Sequence, residues 1–174
     1  MQFKLTIGNN LLSKNLNTQQ TNLKKIFNND TILIEADKNS IFLQKDSLNS
    51  YFFIGNYIGF KDTEKTLKYH NPNSSFFKNF IFANNPEEIM KKLEGRYIII
   101  KIKEGKFLEI FNDIYNQMDL YYQKIDSEII FSTSLDYLPF KNDNIQYDSF
   151  SIIHSLYIYG FRPPKKHTLY KNIK

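Results

Sequence analysis

The chain opens on a two-residue rhythm: Gln2, Lys4 and Thr6 are polar, and Phe3, Leu5 and Ile7 between them are apolar. That alternation predicts a half-buried strand over 2–7. Gly8-Asn9-Asn10 follows with residues that tolerate turn geometry. Residues 11–29 are polar and rich in Asn and Gln, which reads as a loop or a poor helix. Three short apolar runs come next, at 31–36, 40–44 and 51–54. Asp37-Lys38-Asn39 between the first two suits a hairpin turn. Residues 62–79 carry little periodicity.

From Asn84 the pattern sharpens. Asn84 or Asn85 can cap a helix with Pro86 in its first turn, and Glu87 and Glu88 lie near the positive end of its dipole. Ile89, Met90 and Leu93 form its apolar side, and Gly95 is the expected stop. Strands are predicted over 96–103 and 107–111, joined by Glu104-Gly105-Lys106, and over 120–124 and 129–132 around Asp126-Ser127. A last helix fits 148–159, capped by Asp148 and stopped by Gly160, and Pro163-Pro164 then imposes extended backbone. Many antiparallel strands with a few helices predict an α+β fold.

Composition narrows the class. The 174 residues fit one domain over 1–174, and 41% apolar content with sixteen Phe and twelve Tyr supplies a packed core. There is no Cys, which excludes disulfides, thiolate metal sites and a cysteine nucleophile. No run has the length of a signal peptide's apolar region or of a membrane span, so a cytoplasmic location without a membrane partner is expected. Asn29-Asp30-Thr31 and Asn73-Ser74-Ser75 match a glycosylation pattern that an Asn-rich chain produces by chance. The net charge is +5, but Arg96 and Arg162 are the sole arginines, and the lysines scatter as Lys24-Lys25, Lys91-Lys92 and Lys165-Lys166. Such dispersed charge is a solvated surface and does not track a phosphate backbone, so no nucleic-acid partner is expected.

Several motifs then appear in order: Leu93-Glu94-Gly95-Arg96-Tyr97, Phe111-Asn112-Asp113, Asp119-Leu120-Tyr121-Tyr122, Phe131-Ser132-Thr133-Ser134 and Leu138. Asp148 and Gly160 bracket a helix, and the chain closes on Thr168-Leu169-Tyr170-Lys171-Asn172-Ile173-Lys174. This order resembles the class II glutamine amidotransferase domain of asparagine-synthetase-like enzymes, from residue 86 to residue 174. In that family a helix ends in Leu-x-Gly-x-Phe, a strand ends in Arg-Asp, Pro-Leu-Tyr-Tyr and Phe-x-Ser-Glu strands follow, and a Thr-Leu-Phe-x-Gly-Ile-Lys segment marks the exit. The resemblance implies the N-terminal-nucleophile fold, a four-layer αββα sandwich of two antiparallel sheets, with a strand starting at the catalytic residue.

The resemblance also implies that the chemistry has gone. The family's nucleophile is an amino-terminal Cys whose own α-amino group is the base. Gln2 stands at that position here, and a carboxamide cannot attack an amide carbon. The family's oxyanion hole uses an Asn-Gly pair. The match is Ile54-Gly55, which keeps the glycine and loses the amide, although Asn56 is adjacent. The family holds the glutamine ammonium with an Asp after the Gly of Leu-x-Gly, and Arg96 at that place repels it. The isolated chain is therefore expected not to hydrolyse glutamine.

Other chemistry-bearing residues are assigned structural places. Asp113 is expected to tie down a turn, and Ser132 and Ser134 read as ladder residues. His70, His154 and His167 lack ligand spacing, His154 reads as a packing residue on the inner stretch 152–156, and no metal or cofactor is expected. Thr6 and Ser13 would become nucleophiles only after proteolysis. Nothing in the sequence brings Glu35 to Asp37, or Asp113 to Asp119, as an acid/base pair. The six glycines are isolated, so no phosphate-cradling loop is present.

Two functions follow. One is a degenerate amidotransferase domain of a bacterial-type biosynthetic system, structural beside a C-terminal or separate ATP-dependent amide-forming domain. It predicts an apolar face around Tyr157, Tyr159 and Phe161, with a homodimer as a further partner state. The other is a stand-alone binding module for a small anionic ligand or acidic protein, using Asn56, Arg96, Arg162, Lys165, Lys166 and His167.

Overall fold

The structure is a computed structural model that describes residues 2–9, 11, 23–37, 41–45, 49–61, 66–71, 74–104, 107–139, 146–159 and 168–173. In chain order the strands are β1 (Phe3–Ile7), β2 (Lys24–Asn28), β3 (Ile32–Ala36), β4 (Ile41–Lys45), β5 (Asn49–Lys61), β6 (Leu67–Lys68), β7 (Leu93–Lys103), β8 (Phe107–Asn112), β9 (Tyr121–Ile125) and β10 (Glu128–Ser132). Helices α1 (Ser75–Ala83) and α2 (Pro86–Lys92) precede β7, and α3 (Ser149–His154) continues as π-helical turns over Ser155–Tyr159. The architecture is α+β, strand-rich, with two antiparallel sheets. The chain divides into two compact units, Ala36–Asp119 and Gln2–Glu35 with Leu120–Lys174.

The unit Ala36–Asp119 contains the sheet β4-β5-β7-β8, with β6 paired to β5. Alternation in β5 and β7 sends Tyr51, Phe53, Tyr97 and Ile99 to the face that packs Phe77, Phe80 and Ile81 of α1 and Ile89 of α2. The rings meet mostly edge to face: Phe53 and Tyr57 lie 5.9 and 5.3 Å from Phe77 at 84° and 77°. Phe52, Ile54, Ile98, Ile100 and Ile102 occupy the opposite face and are also buried. Both faces of these strands are apolar, which explains their nearly continuous hydrophobic runs.

Capping fixes the helices. Ser74 accepts from the Phe77 N–H at 3.2 Å to start α1. Of the two candidate caps for α2 it is Asn85 that serves, accepting from Glu88 N at 2.9 Å, while the Asn84 amide donates to Phe80 O at the end of α1. Lys101 is a fully buried lysine on the helix-packed face of β7. Its ammonium donates to Asn84 O at 3.3 Å and pairs with Glu109, which also holds Lys103. Desolvation pulls its pKa below the ordinary 10.5, opposed by the Glu109 charge.

The folded protein therefore binds fewer protons at Lys101 than the unfolded chain does between the folded and unfolded pKa values, and stability rises with pH across that window. Lys101→Met removes the desolvated charge and leaves Glu109 paired with Lys103. The variant is expected to be at least as stable as the parent at about pH 7, with an advantage that shrinks toward about pH 10. Denaturant unfolding at both pH values checks the slope.

The other unit contains the sheet β2-β3-β1-β10-β9. Lys4 pairs with Ser132, and Glu128 with Ile125. Phe3 and Leu5 are buried as the alternation requires, but Thr6, on the alternate face of the strand, is buried as well. Ile130, Leu138 and Ile173 form a further core cluster that Tyr121, Ile125, Leu135 and Tyr170 flank.

Four expectations change. Within 11–29, Lys24–Asn28 is a strand, paired to β3. The hairpin at Asp37-Lys38-Asn39 does not form, since β3 and β4 belong to different sheets; Lys38 and Asn39 themselves lie outside the described residues. All five residues of β3 are buried, and β1 and β2 occupy its edges. Helix α1 falls in the stretch 62–79 and just beyond it. Gly95 does not stop α2: the helix ends at Lys92, and Gly95 is the third residue of β7.

Candidate functional site

The residues that the sequence singled out on β5 and β7 come together at one crossing. Register pairs Gly55 with Tyr97, Asn56 with Arg96, and Tyr57 with Gly95. The two glycines thus flank the Asn56–Arg96 pair diagonally. Their φ angles are +136° and +151°, a region that side-chain-bearing residues rarely adopt. A Cβ on Gly55 would sit 2.2 Å from Arg96 O, and one on Gly95 would sit 2.3 Å from Asn56 O. Only two glycines let the backbones approach this closely. Just beyond, the register shifts between Tyr57 and Gly59.

The local chemistry follows from the pleat. Asn56 and Arg96, directly opposed, share a face and are exposed, whereas Ile54 two residues earlier is fully buried. Ile54 therefore supplies packing and offers no donor. Glu94, on the same face of β7 as Arg96, is ion-paired to Lys61. Burial pushes the Tyr57 phenol up to about 12 and raises that of Tyr97 further, so neither is an ionised nucleophile at neutral pH.

Asp113 closes the strand end beside this crossing. Its N–H donates to Tyr97 O at 3.1 Å, and its carboxylate accepts from Tyr115 N at 3.0 Å and Gln117 N at 3.2 Å. The buried carboxylate is thus a turn clamp, as its position suggested. Asp113→Ala leaves two amide hydrogens without their acceptor and is expected to cost about 2 kcal/mol, read as a lowered denaturant midpoint.

Gln2 belongs to the other unit, at the entry to β1, where its side-chain oxygen accepts from the Tyr137 hydroxyl. The start of the strand is fastened on both sides of Phe3. Its N–H donates to Thr133 Oγ1 at 3.2 Å, and its carbonyl accepts from Ser132 Oγ at 2.9 Å. Ser132 Oγ also accepts from Ser134 N at 3.1 Å, and Ser134 Oγ accepts from Asp136 N. These hydroxyls hold backbone and are not poised for attack.

Arg162, Lys165, Lys166 and His167, together with Ser13, lie outside the described residues. The His70 ring stacks on Phe76 at 4.2 Å, and half-buried His154 lies 5.5 Å from Phe150. No group of three His, Asp or Glu among the described residues is placed to hold a metal ion. No helix among them is long and apolar enough to cross a membrane.

The last helix departs most from expectation. Stretch 152–156 does not face inward as a block. Ser151 and Ser155 are the buried positions, bonded to Asp148 Oδ2 and Ser151 O at 2.8 and 2.6 Å, while Ile153 and Leu156 are exposed. Tyr157 is exposed as the apolar-face expectation required; the side chain of Tyr159 and all of Phe161 lie outside what is described. The sequence marks Gly55 and Gly95 separately but not their juxtaposition, because a Gly inside each of two apolar runs names no partner. No protein-family model matches the chain, and no curated protein matches it in sequence.

Proposed function

We propose that this chain is a degenerate class II amidotransferase-like domain, its two sheets the halves of an αββα sandwich, that has lost glutamine hydrolysis. Its role is structural, beside an ATP-dependent amide-forming domain. The observation that carries this reading is the crossing of Gly55 and Gly95. These are the glycines that match the family's Asn-Gly and Leu-x-Gly motifs, and both sit where the backbone demands glycine. The neighbours that should do chemistry are replaced: Ile54 is buried hydrocarbon, and Arg96 presents a cation where an ammonium would bind. The framework is kept and the reactive groups are not.

A diazoketone analogue of glutamine alkylates an amino-terminal nucleophile of this class, so it reports directly on the lost group. Incubated with the purified chain, it is expected to leave the intact mass unchanged. A single adduct mapped to the amino terminus would overturn the reading.

The exposed Asn56–Arg96 pair favours a second reading, a binding module for a small anion such as a carboxylate. Titration with glutamate or inorganic phosphate separates the two. Saturable binding abolished by Arg96→Gln selects the second, and no binding selects the first.

A further inference from the structure

The helix α3 and its π-helical extension are turned inside out relative to an ordinary amphipathic element. Ser151 and Ser155 face inward, while Phe150, Ile153, Leu156 and Tyr157 are 64%, 56%, 54% and 85% exposed. Their spacing places the four on one side of the helix, opposite the two serines. Taking roughly 200 Å² for a fully exposed aromatic side chain, they present on the order of 500 Å² of apolar surface. A standard interface of about 800 Å² per partner, some 60% apolar, needs about that much.

We propose that this face is the contact between two copies of the chain, packed about a two-fold axis that passes near Ile153. The charge distribution selects a second copy as the occupant. Each chain carries a net +5, so most faces of two identical molecules would oppose lysines, yet residues 149–159 contain no Asp, Glu, Lys or Arg. A charge-free stripe meets its own copy without like-charge opposition, and a two-fold contact needs a surface complementary to itself. The proposal does not depend on the amidotransferase reading, and its test does not touch glutamine chemistry.

Sedimentation velocity over a wide concentration range is expected to show a species of twice the monomer mass, and Ile153→Glu is expected to shift it to monomer with unchanged circular dichroism. Because the chain has no Cys, any disulfide in a single-Cys variant joins two molecules. Ile153→Cys is expected to form a covalent dimer on mild oxidation, and the exposed β2 variant Lys24→Cys is not. A monomer at every concentration, which would leave the face to an unlike protein, overturns the proposal. So does a dimer that survives Ile153→Glu, or cross-linking at residue 153 no faster than at residue 24. If Ile153→Glu fails to fold, the cysteine pair decides.

Discussion

Gly55→Ala is expected to destabilise the protein by at least about 3 kcal/mol, seen as a fall of about 10 °C in the thermal midpoint. Two costs combine. The φ of +136° is one that alanine adopts only under strain, and the new methyl would overlap the Arg96 carbonyl, a backbone atom that cannot swing aside. Gly95→Ala meets the mirror-image obstacle at the Asn56 carbonyl. Both substitutions force the same pair of strands apart, so the double variant is expected to lose clearly less than the sum of the singles. Gly59→Ala is the internal control. The three atoms nearest its methyl would all belong to the Leu67 side chain, which can rotate, so a much smaller loss is expected. A Gly55→Ala variant within about 1 kcal/mol of the parent would show that the crossing is not locked as described.

Phe77→Ala is expected to cost about 3–5 kcal/mol, because the ring is fully buried and sits at the centre of the aromatic cluster. Tyr51, Phe53 and Tyr57 all lie with their ring centroids within 6.4 Å of it. Its loss removes one of the aromatic anchors of α1 on the sheet and leaves a cavity that three rigid rings cannot collapse into. Tyr115→Ala, at an exposed position, is expected to change stability by less than about 0.5 kcal/mol. Denaturant unfolding of the pair distinguishes a cluster that organises the unit from generic apolar bulk.

What was legible in the sequence was local. Asn85-Pro86-Glu87-Glu88 announced α2 because capping, dipole and proline all act within one turn. The hairpins β7–β8 and β9–β10 followed from turn residues, and Glu104 and Asp126 adopt the left-handed φ of 52° that such turns require. What was not legible depended on partners far along the chain. Lys24-Lys25-Ile26-Phe27-Asn28 looks like loop because an edge strand needs little apolar character of its own. Apolar runs 31–36 and 40–44 looked like a hairpin because adjacency in sequence says nothing about which sheet a strand joins.

The site shows the same division. The identities of Gln2, Ile54 and Arg96 are readable from the sequence alone, and under the proposed reading a carboxamide, an alkyl group and a guanidinium stand where the family's reactive groups would be. The diagonal placement of Gly55 and Gly95 on either side of the Asn56–Arg96 pair is not readable, because it is set by register between strands about forty residues apart. Helix α3 misled for another reason. The stretch 152–156 is expected to face inward, and here Ser151 and Ser155 take the buried side while Ile153 and Leu156 face out.

The proposed loss of glutaminase chemistry is tested most directly by glutamate release from glutamine by the purified chain, with intact mass recorded on the same sample. A retained Met1 and no glutamate above a boiled control are expected. Glutamate released at an enzymatic rate, with a mass showing that processing had exposed a new amino-terminal Thr6, Ser13 or other hydroxyl, would contradict that loss.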